Sequence, residues 1–214
     1  MFYHCKHLVD TNAIIEATKD IKWQLRDRVF SKAECTEIST YPTEQGMWTY
    51  NGVHIEIREK GNTSAWYSDE EHVHFKWSRC LRNTHVNSDL TEGEKVFMSE
   101  TKKFMDYLDI QTWRVVLLHV GVNDNFMWHR DSPLNSPANI NITLKEKTPI
   151  LIDDDAFKGE ILYDTALMAA SRFWHNVATP KKEDRQAFKI IPMECVEAVA
   201  EKMKNKGLLG DRVF

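Results

Sequence analysis

His129, Asp131 and His175 are the residues in this 214-residue chain whose types and spacing most clearly suggest chemistry. Two imidazoles and one carboxylate make up the ligand type that holds non-haem Fe(II) on one triangular face. The opposite face stays open to water, substrate and O2. Binding needs neutral imidazoles and an ionised carboxylate, and the carboxylate offsets part of the metal's charge. His129 and Asp131 are two residues apart, so on a strand they point to the same side. His175 follows 44 residues after Asp131, enough chain to pass through several strands and return across the site. Arg185, ten residues further on, offers a planar fork suited to a carboxylate. Alone, the His-x-Asp would be a surface pair, His175 a core histidine, and Arg185 part of the charged loop that starts at Lys181. Their order and spacing together favour a metal site.

Three segments carry a family likeness: Trp128-His129-Arg130-Asp131, Phe173-Trp174-His175-Asn176-Val177 and Arg185-Gln186-Ala187-Phe188-Lys189-Ile190. Together they resemble the landmark segments of the Fe(II)/2-oxoglutarate-dependent oxygenases, over about residues 113–191. The His-Arg-Asp triplet and the histidine followed by a strand-forming Val are similar to free-amino-acid and peptidyl hydroxylases, such as prolyl and aspartyl/asparaginyl hydroxylases. The resemblance implies a double-stranded β-helix, a jelly-roll, cupin-like barrel of eight strands with helices on one sheet. It further implies Fe(II) on His129, Asp131 and His175, with Arg185 anchoring the distal carboxylate of 2-oxoglutarate. O2 and 2-oxoglutarate would be converted to succinate and CO2 while an amino-acid or peptidyl side chain is hydroxylated. Many members carry Ser two residues after the arginine, where this chain has Ala187. Either another group takes that contact, with Thr143, Asn141 and Tyr163 as the candidates, or the cosubstrate binds more weakly. Two other readings stay open: a β-helix binding module without chemistry, and an oxygenase acting on a nucleobase.

Other polar groups compete for attention. Asn139, Asn141 and Thr143 alternate with Ile140, Ile142 and Leu144, so a strand there turns a polar face to a cavity, or to water, and an apolar face to helices. Trp128 and Trp174 each precede a proposed ligand and should face away from the metal. His119 either lines the cleft or is a satisfied core histidine. His72-Val73-His74 places two imidazoles on one face, but Lys76 shares it and would repel a cation. Asp153-Asp154-Asp155 lacks the alternate spacing of a calcium loop and reads as a solvated turn. There is no glycine-rich phosphate loop and no GxSxG elbow.

The elements that must position these groups follow from periodicity. Asp10-Thr11-Asn12 before an apolar run marks a capped helix start. Residues 21–30 mix periods. Thr49-Tyr50, 53–57 and 72–77 are strand-like, with turn formers at Asn51-Gly52 and Gly61-Asn62. Thr91-Glu92-Gly93-Glu94 matches a capping box, and Phe97, Phe104, Met105 and Leu108 then form one helical face. Short β-type runs follow at 113–120, 139–144, 149–152, 159–163, 167–177 and 186–191. Val196, Val199, Ala200 and Met203 begin a C-terminal helix that Gly207 stops. One domain is expected: a helical and strand support region at 1–112, a β-helix core at 113–192 and a C-terminal helical segment at 193–214. Loops within 36–90 and 132–137 are the expected substrate contacts.

Composition sets the outer limits. With 42% hydrophobic and 28% charged residues, the chain is ordinary globular material. No apolar run reaches the roughly 20 residues of a membrane helix, and the N-terminus lacks a signal-peptide core. Cys5, Cys35, Cys80 and Cys195 form no CxxC pair, which points to reduced thiols in a cytoplasm. A net charge of −4 disfavours nucleic acid as a partner, and the lysines at 181–182 and 202–206 read as solvated faces. A small-molecule or peptidyl substrate is the expected partner. Oligomeric state is not legible.

Overall fold

The computed structural model describes residues 1–31, 47–50, 53–57, 70–86, 89–126, 129–131 and 137–214. Among them, strands numbered in chain order form two antiparallel sheets. The larger runs β15 (Leu209–Arg212), β1 (Phe2–Cys5), β12 (Thr165–Met168), β9 (Asn139–Lys145), β14 (Arg185–Pro192), β7 (Trp113–Val120), β5 (Glu70–Ser78), β2 (Trp23–Ser31), with β6 (Leu81–Arg82) also paired to β7. The smaller runs β11 (Lys158–Ile161), β10 (Ile150–Asp153), β13 (Trp174–Val177), β8 (His129–Asp131), β4 (Val53–Ile57), β3 (Met47–Tyr50).

Alternation decides what each face of the larger sheet meets. Ile140 and Ile142 on β9, Val115 and Leu117 on β7, and Phe188 and Ile190 on β14 are fully buried in one apolar cluster. Register aligns them, with Phe188 opposite both Ile142 and Leu117, and Ile190 opposite both Ile140 and Val115. Helices α2 (Glu92–Tyr107) and α3 (Val196–Asn205) cover that face through Phe97, Phe104, Met105, Val199 and Met203. Each such side chain contributes roughly 1.5–3 kcal/mol by leaving water. The other face looks toward the smaller sheet: Phe2, Ala166 and Met168 form a second cluster with Ile150, Ile152 and Ile161.

The start of α2 is tied down locally. Thr91 accepts a bond from the Glu94 backbone N–H at 3.2 Å, and the Glu94 carboxylate accepts from the Thr91 N–H at 2.9 Å, completing the box. Buried Glu94 also takes a forked bond from Arg79, at 2.6 and 2.7 Å. Glycine is required at 93, because a Cβ there would lie 2.3 Å from the carbonyl oxygen of Ala17, at the end of α1 (Thr11–Ala17).

Several elements depart from the sequence expectation. Residues 167–177 are not one strand. β12 ends at Met168, a turn closed by Arg172 N–H on the Ala169 carbonyl follows, and β13 begins in the other sheet. The polar pair Ser171-Arg172, which interrupts the apolar run, lies in that turn. Residues 23–31 form a strand. The termini add strands where none was expected: β1 pairs with β12 on one side and with β15 on the other, beyond the Gly207 turn at φ 68°. β3 and β4 pair with Tyr50 opposite Val53; their Asn51-Gly52 joint, and the turn formers at Gly61-Asn62, lie outside the described residues. Among the described residues, no helix is long and apolar enough to cross a membrane.

Candidate active site

Register brings the three proposed ligands to adjacent positions on the smaller sheet. His175 on β13 lies directly opposite His129 on β8, and directly opposed residues share a face. Asp131, two residues along β8, takes the same face. That face is the inner one: Ile152, which belongs to the cluster between the sheets, is opposite His175 on the other side. His175 and Asp131 are buried, at 6% and 5% exposure. The His129 side chain lies outside the described ones, as does Trp128. Among the described residues, no group of three His, Cys, Asp or Glu side chains stands ready to hold a metal.

The surroundings of His175 fix its chemistry. Its Nδ1 lies 3.3 Å from the Phe173 carbonyl. A carbonyl oxygen only accepts, so this bond requires Nδ1–H and leaves the lone pair on Nε2, the tautomer of a metal-ligating imidazole. The Phe173 ring sits edge-on to the imidazole at 5.6 Å and restrains its rotation. Trp174 is buried, and the alternation of β13 turns it to the opposite face from His175.

Asp131 is held from across the sandwich. Asn139 Nδ2 on β9 donates to its Oδ2 at 2.8 Å, and Lys189 on β14 forms an ion pair with the same oxygen. Lys189 is only 13% exposed in its side chain. The sequence contained a signal for it that the landmark motif hid. Arg185, Ala187 and Lys189 alternate with core residues, so all three belong on the inner face.

Arg185 is not a loop arginine. It opens β14 and is 2% exposed. Its Nη2 donates to the Tyr163 hydroxyl at 3.0 Å, while its buried Nε has no hydrogen-bond partner among the described residues. A buried guanidinium with an unused donor suits a bound carboxylate. Of the three residues expected to compensate for Ala187, Tyr163 is the one brought onto the arginine. Thr143 lies directly opposite Ala187, but its hydroxyl donates to the Tyr163 carbonyl at 3.2 Å. Asn141 donates to the Met168 sulfur at 3.4 Å. Both share the inner face with Asn139, as the alternation of β9 requires.

The competing histidines sit elsewhere. His119 Nε2 is 3.4 Å from Asp184 and its Nδ1 is 3.3 Å from the Gln186 amide. Burial lowers its pKa more than Asp184 raises it. His74 is 3.9 Å from Asp124, and the side chain of His72 lies outside the described ones. Asp153 departs from the expected solvated turn, being buried and paired with Lys158 at 2.8 Å.

No family profile and no curated protein matches the chain. Among solved structures it is similar to an oxidoreductase of the 2OG-Fe(II) oxygenase family from Burkholderia pseudomallei. That alignment has 9% identity and a TM-score of 0.49, and covers 86% of this chain and 79% of that one. It is also similar to a prolyl-4-hydroxylase from Pseudomonas putida at 7% identity and a TM-score of 0.39, over 85% of this chain and 98% of that one. At such identities and scores, function has to be sought in this chain's own residues.

Proposed function

We propose that this chain is an Fe(II)- and 2-oxoglutarate-dependent oxygenase that hydroxylates an amino-acid or peptidyl side chain. The observation that carries the reading is Arg185. A guanidinium at 2% exposure, with an unused Nε and a tyrosine hydroxyl beside it, is a receptor for a carboxylate. It lies on the same inner face as Lys189, whose partner Asp131 shares its face with His175 and His129.

Strand order supports the fold that the resemblance implies. The orders β12-β9-β14-β7 in one sheet and β11-β10-β13-β8 in the other are those in which eight consecutive strands of a double-stranded β-helix would alternate between its sheets, with the remaining strands at the edges. His129, Asp131 and His175 would hold Fe(II), and Arg185 with Tyr163 would hold the distal carboxylate of 2-oxoglutarate. When bound, metal and cosubstrate supply the oxidising chemistry, consuming O2 and 2-oxoglutarate and releasing succinate and CO2. The protein's share is positioning. The Phe173 carbonyl sets the His175 tautomer, Asn139 and Lys189 fix Asp131, and the buried clusters around them exclude water. A reducing, cytoplasmic setting would suit both the iron and the free thiols of Cys5, Cys80 and Cys195.

Anaerobic addition of Fe(II) and 2-oxoglutarate, followed by visible spectroscopy, tests the reading. The expected result is a weak charge-transfer band, with succinate formed once O2 is admitted. A protein that binds neither component is the non-catalytic barrel. Turnover that responds to nucleobases and not to amino acids or peptides would replace the substrate class.

A further inference from the structure

The inner face of the larger sheet carries a second set of cations, away from Arg185. Arg114 on β7 is opposite Ile191, two residues beyond Lys189 on β14. Arg82 on β6 is directly opposite Arg114. Their neighbours Val115 and Leu81 are fully buried in the cluster under the helices, so alternation turns Arg114 and Arg82 to the face that bears Lys189. Exposure rises along the row: Lys189 and Arg114 are half-buried, and Arg82, on the short strand β6, is exposed. One thiol senses all three. Burial pushes the Cys80 pKa up, while Arg114, Arg82 and Lys189 each pull it down.

Arg185 and Lys189 are four residues apart on one strand, about 13 Å at 3.3 Å per residue. Arg114 and Arg82 lie beyond Lys189 on the side away from Arg185. A 2-oxoglutarate whose distal carboxylate is held at Arg185 therefore does not place that carboxylate on this row. Lys189 adds a further requirement. Its partner Asp131 is a proposed ligand, and a divalent metal there would draw on the carboxylate that now neutralises the ammonium. A nearby anion would then stabilise that charge.

We propose that the row of Arg82, Arg114 and Lys189 is the substrate receptor, and that the substrate carries an anionic group, a carboxylate or a phosphate, which these side chains bind beside the metal. The inference rests on the oxygenase reading for its word "substrate", but the anion preference can be measured without it. Arg82 captures the group at the edge, Arg114 fixes it with a planar fork, and Lys189 faces the innermost part of the ligand.

Calorimetric titration of the Mn(II)-loaded protein, saturated with 2-oxoglutarate, with phenylacetate, phenyl phosphate and neutral phenylacetamide tests it. At least one anion should bind about tenfold or more tightly than the amide. Preference for phenylacetate identifies a carboxylate receptor, and preference for phenyl phosphate a phosphate receptor. Arg114→Gln should abolish the preference. Arg82→Gln, at an exposed edge and without consequence for the core, should reduce it. Equal binding of amide and anions, or a preference that survives both substitutions, overturns the proposal. If the protein takes up neither Mn(II) nor 2-oxoglutarate, the oxygenase reading fails. The same titrations of metal-free Arg185→Gln protein then decide the anion receptor by themselves.

Discussion

Replacing Arg185 by Gln separates a cosubstrate anchor from a structural arginine, because the two roles predict opposite pairs of outcomes. As an anchor, Arg185 gives 2-oxoglutarate a charge-assisted contact of about 1.5–3 kcal/mol, so Arg185→Gln should weaken binding by about 10- to 150-fold. Tyr163, whose hydroxyl lies 3.0 Å from Nη2, should matter less. Tyr163→Phe removes a neutral hydrogen bond of about 0.5–1.5 kcal/mol, a loss of about 2- to 13-fold. Arg185→Lys should recover only part of the affinity, since a point charge cannot reproduce the fork. Stability should move the other way. Among the described residues Arg185 has no ion-pair partner, and its Nε is unsatisfied at 2% exposure. Removing that buried charge in Arg185→Met should therefore leave the metal-free protein at least as stable, with Tm unchanged or raised. The assays are 2-oxoglutarate titration of the Mn(II)-loaded proteins and thermal unfolding without ligand. Equal affinities for wild type and Arg185→Gln would remove Arg185 from the site. A loss of several kcal/mol of stability in Arg185→Met would make it structural.

Asp131→Ala should abolish retention of Fe(II) or Mn(II) and cost about 3–5 kcal/mol, because it strands the Lys189 ammonium. Adding Lys189→Met should restore much of the stability without restoring metal, and unchanged metal content in Asp131→Ala would show the triad to be wrong. Phe188→Ala, at 0% exposure and edge-on to Phe97 at 5.3 Å, should cost about 3–5 kcal/mol in denaturant unfolding and leave 2-oxoglutarate affinity unchanged. The reverse pattern would mean that the faces of β14 are exchanged. For Glu94, burial raises the carboxyl pKa, but the bonds from Arg79 and the Thr91 N–H outweigh it and lower the pKa from the ordinary glutamate value. A depressed folded pKa stabilises above the unfolded value and loses that contribution as pH falls through the folded one. Acid unfolding of Glu94→Gln should therefore be flatter below about pH 4.5 than that of wild type. Identical acid limbs would show that the Arg79 fork is absent in solution.

What the sequence determined is what local rules can encode. The capping box at Thr91 needs only four residues, and the helical face of Phe97, Phe104 and Leu108 needs only a period. The polar and apolar faces of β9 need only alternation, which is why Asn139 and Asn141 look inward while Ile140 and Ile142 pack under the helices. His129, Asp131 and His175 could be named from their types and spacing, but spacing cannot say which residues become neighbours. Pairing of β13 with β8 put His175 opposite His129, and pairing of β14 with β9 put Lys189 opposite Asn141 and within reach of Asp131. Thr143, Asn141 and Tyr163 were likewise equal candidates for the contact that Ala187 cannot make, until β14 and the segment after β11 brought the Tyr163 hydroxyl onto Arg185. Strand pairing joins residues far apart in the chain through backbone bonds that any side chain permits. The sequence therefore wrote the faces, and the tertiary structure alone chose which charges share them.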